Sequence, residues 1–144
     1  MASKGMGAVY TSTAHGRALR HERSAMEGDK PLDRDFHPYA LAFEDLLATM
    51  LQQYGRCVIL DGHSFPSVPL PYELDQRRDR PQLCIGVDTF HTQAILIRGI
   101  ENVGAAKGLH VEQNRTFAGT YVPRRYWRTD PRAASAMVET RIDL

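Results

Sequence analysis

Two cysteines in 144 residues are too few for a disulfide framework. Cys57 and Cys84 both stand in apolar, strand-like runs. They read as buried free thiols of a reducing compartment, so a cytoplasmic location is the default expectation. No apolar run approaches the roughly 20 residues that a membrane helix needs. The opening Met-Ala-Ser-Lys-Gly-Met-Gly has no apolar signal-peptide centre. Charge of either sign is not in excess: the formal net charge is +1, so bulk electrostatics implies neither nucleic acid nor an anionic membrane as a partner. There is no internal repeat and no low-complexity tract. His15 and His21 have five residues between them, a spacing that does not stack on a helix face, and no Cys or acid accompanies them at metal-site spacing. Both read as surface residues.

What is present is one domain's worth of chain, residues 1–144, with a core of ordinary size. The most informative stretch runs from Cys57 to Ser67. Cys57-Val58-Ile59-Leu60 is a short unbroken apolar run that ends abruptly in Asp61-Gly62-His63-Ser64. Such a run fits a strand buried on both faces in a parallel sheet under helices. Gly62 then permits a bend, leaving His63 and Ser64 at the strand's carboxyl end, where open α/β sheets bind ligands. An imidazole there can hold a metal or move a proton. A core histidine bonded to a neighbouring strand is the plainer alternative.

Around this stretch the pattern alternates between helix and strand. Residues 1–36 carry a short strand candidate, Ala8–Thr13, and a polar loop. Pro38 opens a helix whose Phe43, Leu46, Leu47, Met50, Leu51 and Tyr54 share one face, and Gly55 stops it. Three prolines between Phe65 and Tyr72 impose an extended path, which can wall a site. Leu83–Asp88 reads as a second strand, 92–107 as a helix despite Gly99 and Gly104, and Leu109–Gln113 as a half-buried strand. Together they make a right-handed parallel unit. Asn114–Arg128 is a loop rich in arginine and aromatics. Its Arg124–Arg128 cluster suits a carboxylate, a phosphate or single-stranded nucleic acid, or is a solvated basic turn. The last strand, Ala136–Ile142, puts Val138, Thr140 and Ile142 on one face and Glu139 on the other. The expected class is α/β.

Three blocks in order resemble the N-formylglutamate amidohydrolase family. The first is Leu60-Asp61-Gly62-His63-Ser64-Phe65-Pro66-Ser67 followed by Pro69–Gln76. The second joins Asp79-Arg80-Pro81 to Cys84–Thr92. The third joins Phe117–Pro123 to Arg125-Tyr126, Asp130-Pro131-Arg132 and Met137-Val138-Glu139. The resemblance implies a phosphorylase/hydrolase-like, three-layer α/β fold, with a mixed, mostly parallel sheet flanked by helices and present here in part.

By the same resemblance the activity is zinc-assisted hydrolysis of a small acidic N-acyl amino acid, N-formyl-L-glutamate to formate and glutamate, a reaction of histidine degradation. His63 takes the place of a zinc ligand and Glu139 that of the general base and acid. Arg125, Ser64 and Tyr121 take places in substrate binding. Zinc would polarise the formyl carbonyl and acidify its bound water, a glutamate would move the proton, and an arginine fork would orient the substrate. The family's further zinc ligands, a His and an acid near the start of the domain, have no counterpart before Tyr10. Ala40 follows His37-Pro38-Tyr39 where the family has a second His, and Ile142 stands where an Arg is common. The chain therefore reads as a carboxyl-terminal portion in which zinc is weakly held or absent, with His15, His37 and His91 the other imidazoles to examine. The alternative is a non-catalytic or truncated α/β module that keeps an acidic-ligand pocket.

Overall fold

In a computed structural model, which describes residues 10–19 and 32–144, the Pro38 signal marks a real helix start. A single π-turn, Leu32–Phe36, leads into α1, His37–Tyr54, with Pro38 in its first turn. Gly55 ends the helix with φ 72°, a left-handed conformation that suits a residue without Cβ. Its N–H donates to the Leu51 carbonyl at 2.9 Å. The predicted apolar stripe is buried only in part. Leu47 and Leu51 enter a cluster with Ile59, Val122, Tyr126 and Ala133, while Leu46 and Tyr54 are exposed.

Four strands follow: β1 Cys57–Phe65, β2 Leu83–Gly86, β3 Val111–Gln113 and β4 Ala133–Arg141. The second long helix, α2 Ala94–Ala106, lies between β2 and β3. The sheet order is β1-β4-β2-β3. β1 runs parallel to β4, β2 runs parallel to β3, and the two pairs meet antiparallel between β4 and β2. The mixed, mostly parallel α/β architecture is thus as expected, and β2, α2 and β3 form the anticipated parallel unit.

Two expectations are corrected. The strand at Cys57–Leu60 is not buried on both faces. Among the described residues β1 is an edge strand, with Val58 and Leu60 exposed at 55% and 63%. It also does not bend at Gly62 but continues in register through His63 to Phe65. The second correction concerns the last strand, where Val138 is only half-buried, Ile142 lies exposed beyond the strand, and Glu139 is the buried residue. Local packing explains two further features. Gly104 sits where α2 meets β3: a Cβ there would come within 2.4 Å of Val111 Cγ2. β4 begins three residues earlier than its hydrophobic pattern, at Ala133. Its small residues admit the turn after β2, for Ser135 N–H donates to His91 O at 3.0 Å and Thr92 Oγ1 donates to Ser135 O at 2.7 Å. The strand candidate at Ala8–Thr13 falls partly outside the described residues; within them Ser12 forms a single antiparallel bridge to Ala18.

Candidate active site

Strand alternation sorts the sheet's side chains onto two faces. Ile59, whose side chain joins the α1 cluster, marks one face of β1. Asp61, His63 and Phe65 share it. Register carries the same face onto β4 and β2, because His63 stands opposite Glu139 and Glu139 stands opposite Cys84. The candidate site is therefore a row across three strands, His63–Glu139–Cys84, with Asp61 beside His63.

His63 Nε2 lies 2.9 Å from Asp61 Oδ1. The imidazole is about half exposed, so it forms the open end of the row. Glu139 is only 6% exposed, and its Oε2 is buried with no hydrogen-bond partner among the described residues. Burial raises the Glu139 carboxyl above the usual carboxylate range; the nearby Asp61 and Glu73 add to the rise and His63 opposes it. At the closed end the Cys84 thiol donates to the carbonyls of Arg115 and Phe117, at 2.6 and 3.2 Å. Burial pushes its pKa up as well, so Cys84 is a packed thiol and not a nucleophile.

The segment after β1 folds back over Phe65, at the end of this strand. Phe65 is fully buried and carries the Arg80 guanidinium 5.7 Å above its ring. Arg80 in turn forms a buried ion pair with Glu73 and donates to the carbonyls of Pro66 and Asp75 at 2.9 and 3.1 Å. Beside it Tyr72 has its pKa raised by burial first and by Glu73 second. The Glu73–Arg80 pair was not singled out by sequence reasoning, although both residues lie in the blocks that carry the resemblance. Asp61 was missed for a different reason. It shares a face with His63 only if the strand runs on past Leu60, and the residue types after Leu60 suggest a loop.

The other sequence-predicted residues are placed less centrally. Ser64 follows His63 directly, so alternation points it to the opposite, α2 face, away from Glu139. Tyr121 stacks on Phe43 of α1, with centroids 5.7 Å apart. Its pKa is raised by burial, with smaller contributions from Tyr39, Glu44 and Asp61, so it lies on the Glu139 side of the sheet. Arg125 approaches Glu44 at 3.9 Å and lies over the Tyr126 ring, which ties it to α1. A cavity of about 560 Å³ opens between α1 and this turn, lined by His37, Glu44, Tyr121, Arg124 and Trp127 among others.

Metal binding asks for at least three converging donors. Among the described residues no group of three His, Cys, Asp or Glu is placed to hold an ion. His91 is fully engaged: Nδ1 is 2.7 Å from Ala133 O, and Nε2 accepts the Arg128 N–H at 2.7 Å. His37 lies 3.6 Å from Asp33 on the surface. His15 lines a separate cavity with Tyr72, and His21 lies outside the described residues. The described donor set therefore does not fit a resident zinc by itself.

Comparison with known proteins completes the picture. A search of curated proteins found no match. A crystal structure of N-formylglutamate amidohydrolase from Ralstonia eutropha JMP134 superposes with a TM-score of 0.82 over 99% of this chain, at 20% identity. This chain spans about half of that protein, 52% of its length. At that identity the likeness establishes the fold. The family model for N-formylglutamate amidohydrolase matches residues 1–144, so the chain belongs to the N-formylglutamate amidohydrolase family.

Proposed function

We propose that the row His63–Glu139 serves hydrolysis of the amide bond of a small acidic N-acyl amino acid, with N-formyl-L-glutamate as the substrate and formate and glutamate as products. The observation that supports this most is the Glu139 carboxylate: buried, raised in pKa and holding a free oxygen. A structural carboxylate in that position would be paired. A general base needs instead a lone pair left for water and a proton affinity lifted toward neutrality. Glu139 takes a proton from the attacking water and returns it to the departing amine.

His63, directly opposite and open to solvent, stands where the reacting amide would lie. The Arg125–Glu44 pair is mostly exposed and long. It therefore holds its arginine weakly, leaving the guanidinium able to turn to a substrate carboxylate, while Tyr121 lines the cavity beside α1. The zinc implied by the family resemblance would need donors beyond His63, and no step here is derived through it. Formate release from N-formyl-L-glutamate, measured with added zinc, tests the reading. Glu139→Gln is expected to lower turnover by about 100- to 10,000-fold, the usual contribution of a general base. Near-normal turnover in that variant excludes the assignment.

A second reading follows from the donor set, since among the described residues no three donors converge: a pocket that binds an acidic small molecule without turning it over. Calorimetric binding of N-formyl-L-glutamate with no formate release would select it.

A further inference from the structure

Arg128 holds a backbone conformation that a residue with a side chain seldom takes: its φ is 53°. Two bonds to one short segment keep it there. Its N–H donates to His91 Nε2 at 2.7 Å, and its Nη2 donates to Asp88 Oδ2 at 2.7 Å. Its guanidinium also lies over the Trp127 ring, 5.3 Å from the centroid. His91 is itself firmly held. It is 1% exposed. Its N–H donates to Asp88 Oδ1 at 3.2 Å, and its carbonyl accepts the Ser135 N–H at 3.0 Å. Its ring stacks on Trp127, with centroids 5.3 Å apart, and meets Phe90 edge to face at 4.8 Å. Nδ1 faces the Ala133 carbonyl at 2.7 Å. A carbonyl only accepts, so Nδ1 carries the hydrogen and Nε2 keeps the lone pair that Arg128 uses. Both bonds together require the neutral ring in that one tautomer.

We propose that His91 is a positioning residue: with Asp88 it clamps the arginine turn, residues 124–128, to the sheet and so sets where Arg125 points. The turn is tied down at two places. Val122 and Tyr126 enter the cluster under α1, and Arg128 is gripped by its backbone at His91 and by its side chain at Asp88. Between these anchors the chain closes on itself. The N–H groups of Tyr126 and Trp127 donate to Pro123 O at 2.9 and 3.1 Å, and that of Asp130 donates to Tyr126 O at 3.3 Å. Arg124, Arg125 and Trp127 stand exposed on the turn. Arg125 Nη1 is 3.9 Å from Glu44 Oε1, too far for a hydrogen bond. Its guanidinium otherwise rests on the Tyr126 ring, which belongs to the same turn. The course of the backbone therefore decides its direction. Asp88 alone is the weaker grip, because it holds a side chain that is 57% exposed; the His91 bond is the one made to the backbone. That Arg125 meets an acidic ligand rests on the function proposed above, whereas the clamp itself does not.

Two substitutions separate the two bonds of the imidazole. Asparagine reaches only as far as Nδ1, so His91→Asn keeps a donor for Ala133 O and loses the acceptor for Arg128. Glutamine reaches as far as Nε2, so His91→Gln keeps that acceptor. Trypsin cuts after arginine, and the turn offers Arg124, Arg125 and Arg128. With the far-ultraviolet spectrum unchanged, cleavage within the turn is expected to rise about 3- to 10-fold in His91→Asn, as the loss of one hydrogen bond opens it more often. In His91→Gln the rate should stay near the native one. Trp127, the only tryptophan in the sequence, should shift its emission to the red in His91→Asn alone. Calorimetric affinity for N-formyl-L-glutamate should fall in His91→Asn and be largely kept in His91→Gln. Should His91→Asn fail to fold, Asp88→Asn loosens the other grip and should likewise speed cleavage in the turn. A folded His91→Asn protein cut no faster than the native one overturns the clamp, and so does equal cutting of the two His91 variants. Unequal cutting with equal affinities overturns the link to Arg125. A native protein with no affinity for the ligand refutes the acidic-ligand reading instead, and the tryptic pattern still decides the clamp.

Discussion

Glu139 is expected to weaken the fold that holds it, and the size and pH dependence of that effect follow from its surroundings. Its Oε2 is buried without a partner, and an unsatisfied buried polar group costs about 1–3 kcal/mol, more when charged. Replacing it by glutamine removes the charge and keeps the shape. The amide is as unpaired there as the acid, so only the charge part of that cost is relieved: Glu139→Gln should stabilise the protein by at most about 1–3 kcal/mol at neutral pH, a rise in Tm of at most roughly 3–10 °C for a chain of this size. The sign with pH is fixed by linkage. The folded pKa lies above the unfolded one, so below the unfolded value both states are protonated and the wild-type residue carries no charge penalty. As pH rises past that value the unfolded state ionises first and folded stability falls. Above the raised folded value the deficit is constant. Thermal melts of both proteins from pH 4 to pH 8 should thus show almost no difference at the acid end and a gap that grows and then levels off. His63 opposes the rise, so the gap should widen in a His63→Ala background. A gap independent of pH, or a glutamine variant less stable than wild type at pH 8, would refute the reasoning.

Other substitutions probe the frame around the site. Leu47→Ala empties a position 1% exposed at the centre of the α1 cluster and should cost about 2–5 kcal/mol in urea denaturation. Gly86→Ala would put a Cβ 2.1 Å from Gly119 O and 2.5 Å from Met137 Cε; a loss of about 1–3 kcal/mol or more is expected in the same assay. Removing one member of the buried Glu73–Arg80 pair, as in Arg80→Met, should cost about 3–5 kcal/mol. The double change Glu73→Leu with Arg80→Met should cost less than the worse single one, and additive losses would contradict the pairing.

How much of this was legible in the sequence differs from element to element, for physical reasons. α1 announced itself because proline, an apolar period and a glycine stop all agreed, and each acts within a few residues. The parallel unit β2-α2-β3 was legible for the same reason. Its Gly104, a mark against a helix by propensity, is there because α2 approaches Val111 too closely for a side chain. That is a tertiary cause with no local signal. The first three residues of β4 were invisible as strand. Alanine and serine have little β-propensity, and they stand there because the His91 turn and the 119–127 loop press against the strand. β1 was placed correctly, but its burial was misjudged. An apolar run says that its side chains leave water, not which molecule covers them, so Val58 and Leu60 suggested burial under this chain's own helices.

The candidate site shows the same division. His63 and Glu139 were named from residue type and resemblance, far apart in sequence and with no means of measuring their separation. Register supplies what the sequence lacked, because one parallel pairing sets position 63 against position 139. The residues that surround them were lost for want of that register. Asp61 belongs to the row only because β1 stays straight through Gly62, and Ser64 leaves it for the same reason. Arg125 was chosen for its chemistry, yet the acid it approaches, Glu44, lies on a helix about eighty residues upstream and is adjacent only in space. The buried pair of Glu73 and Arg80 follows this logic one step further. Two opposite charges seven residues apart in a proline-bound loop look solvated on paper. Folded over Phe65, they become a buried pair, and the Glu73 charge adds to the rise in proton affinity that burial gives Glu139. Whether a carboxylate on a strand is exposed or buried is thus decided by strand pairing far along the chain, which sets Glu139 between His63 and Cys84.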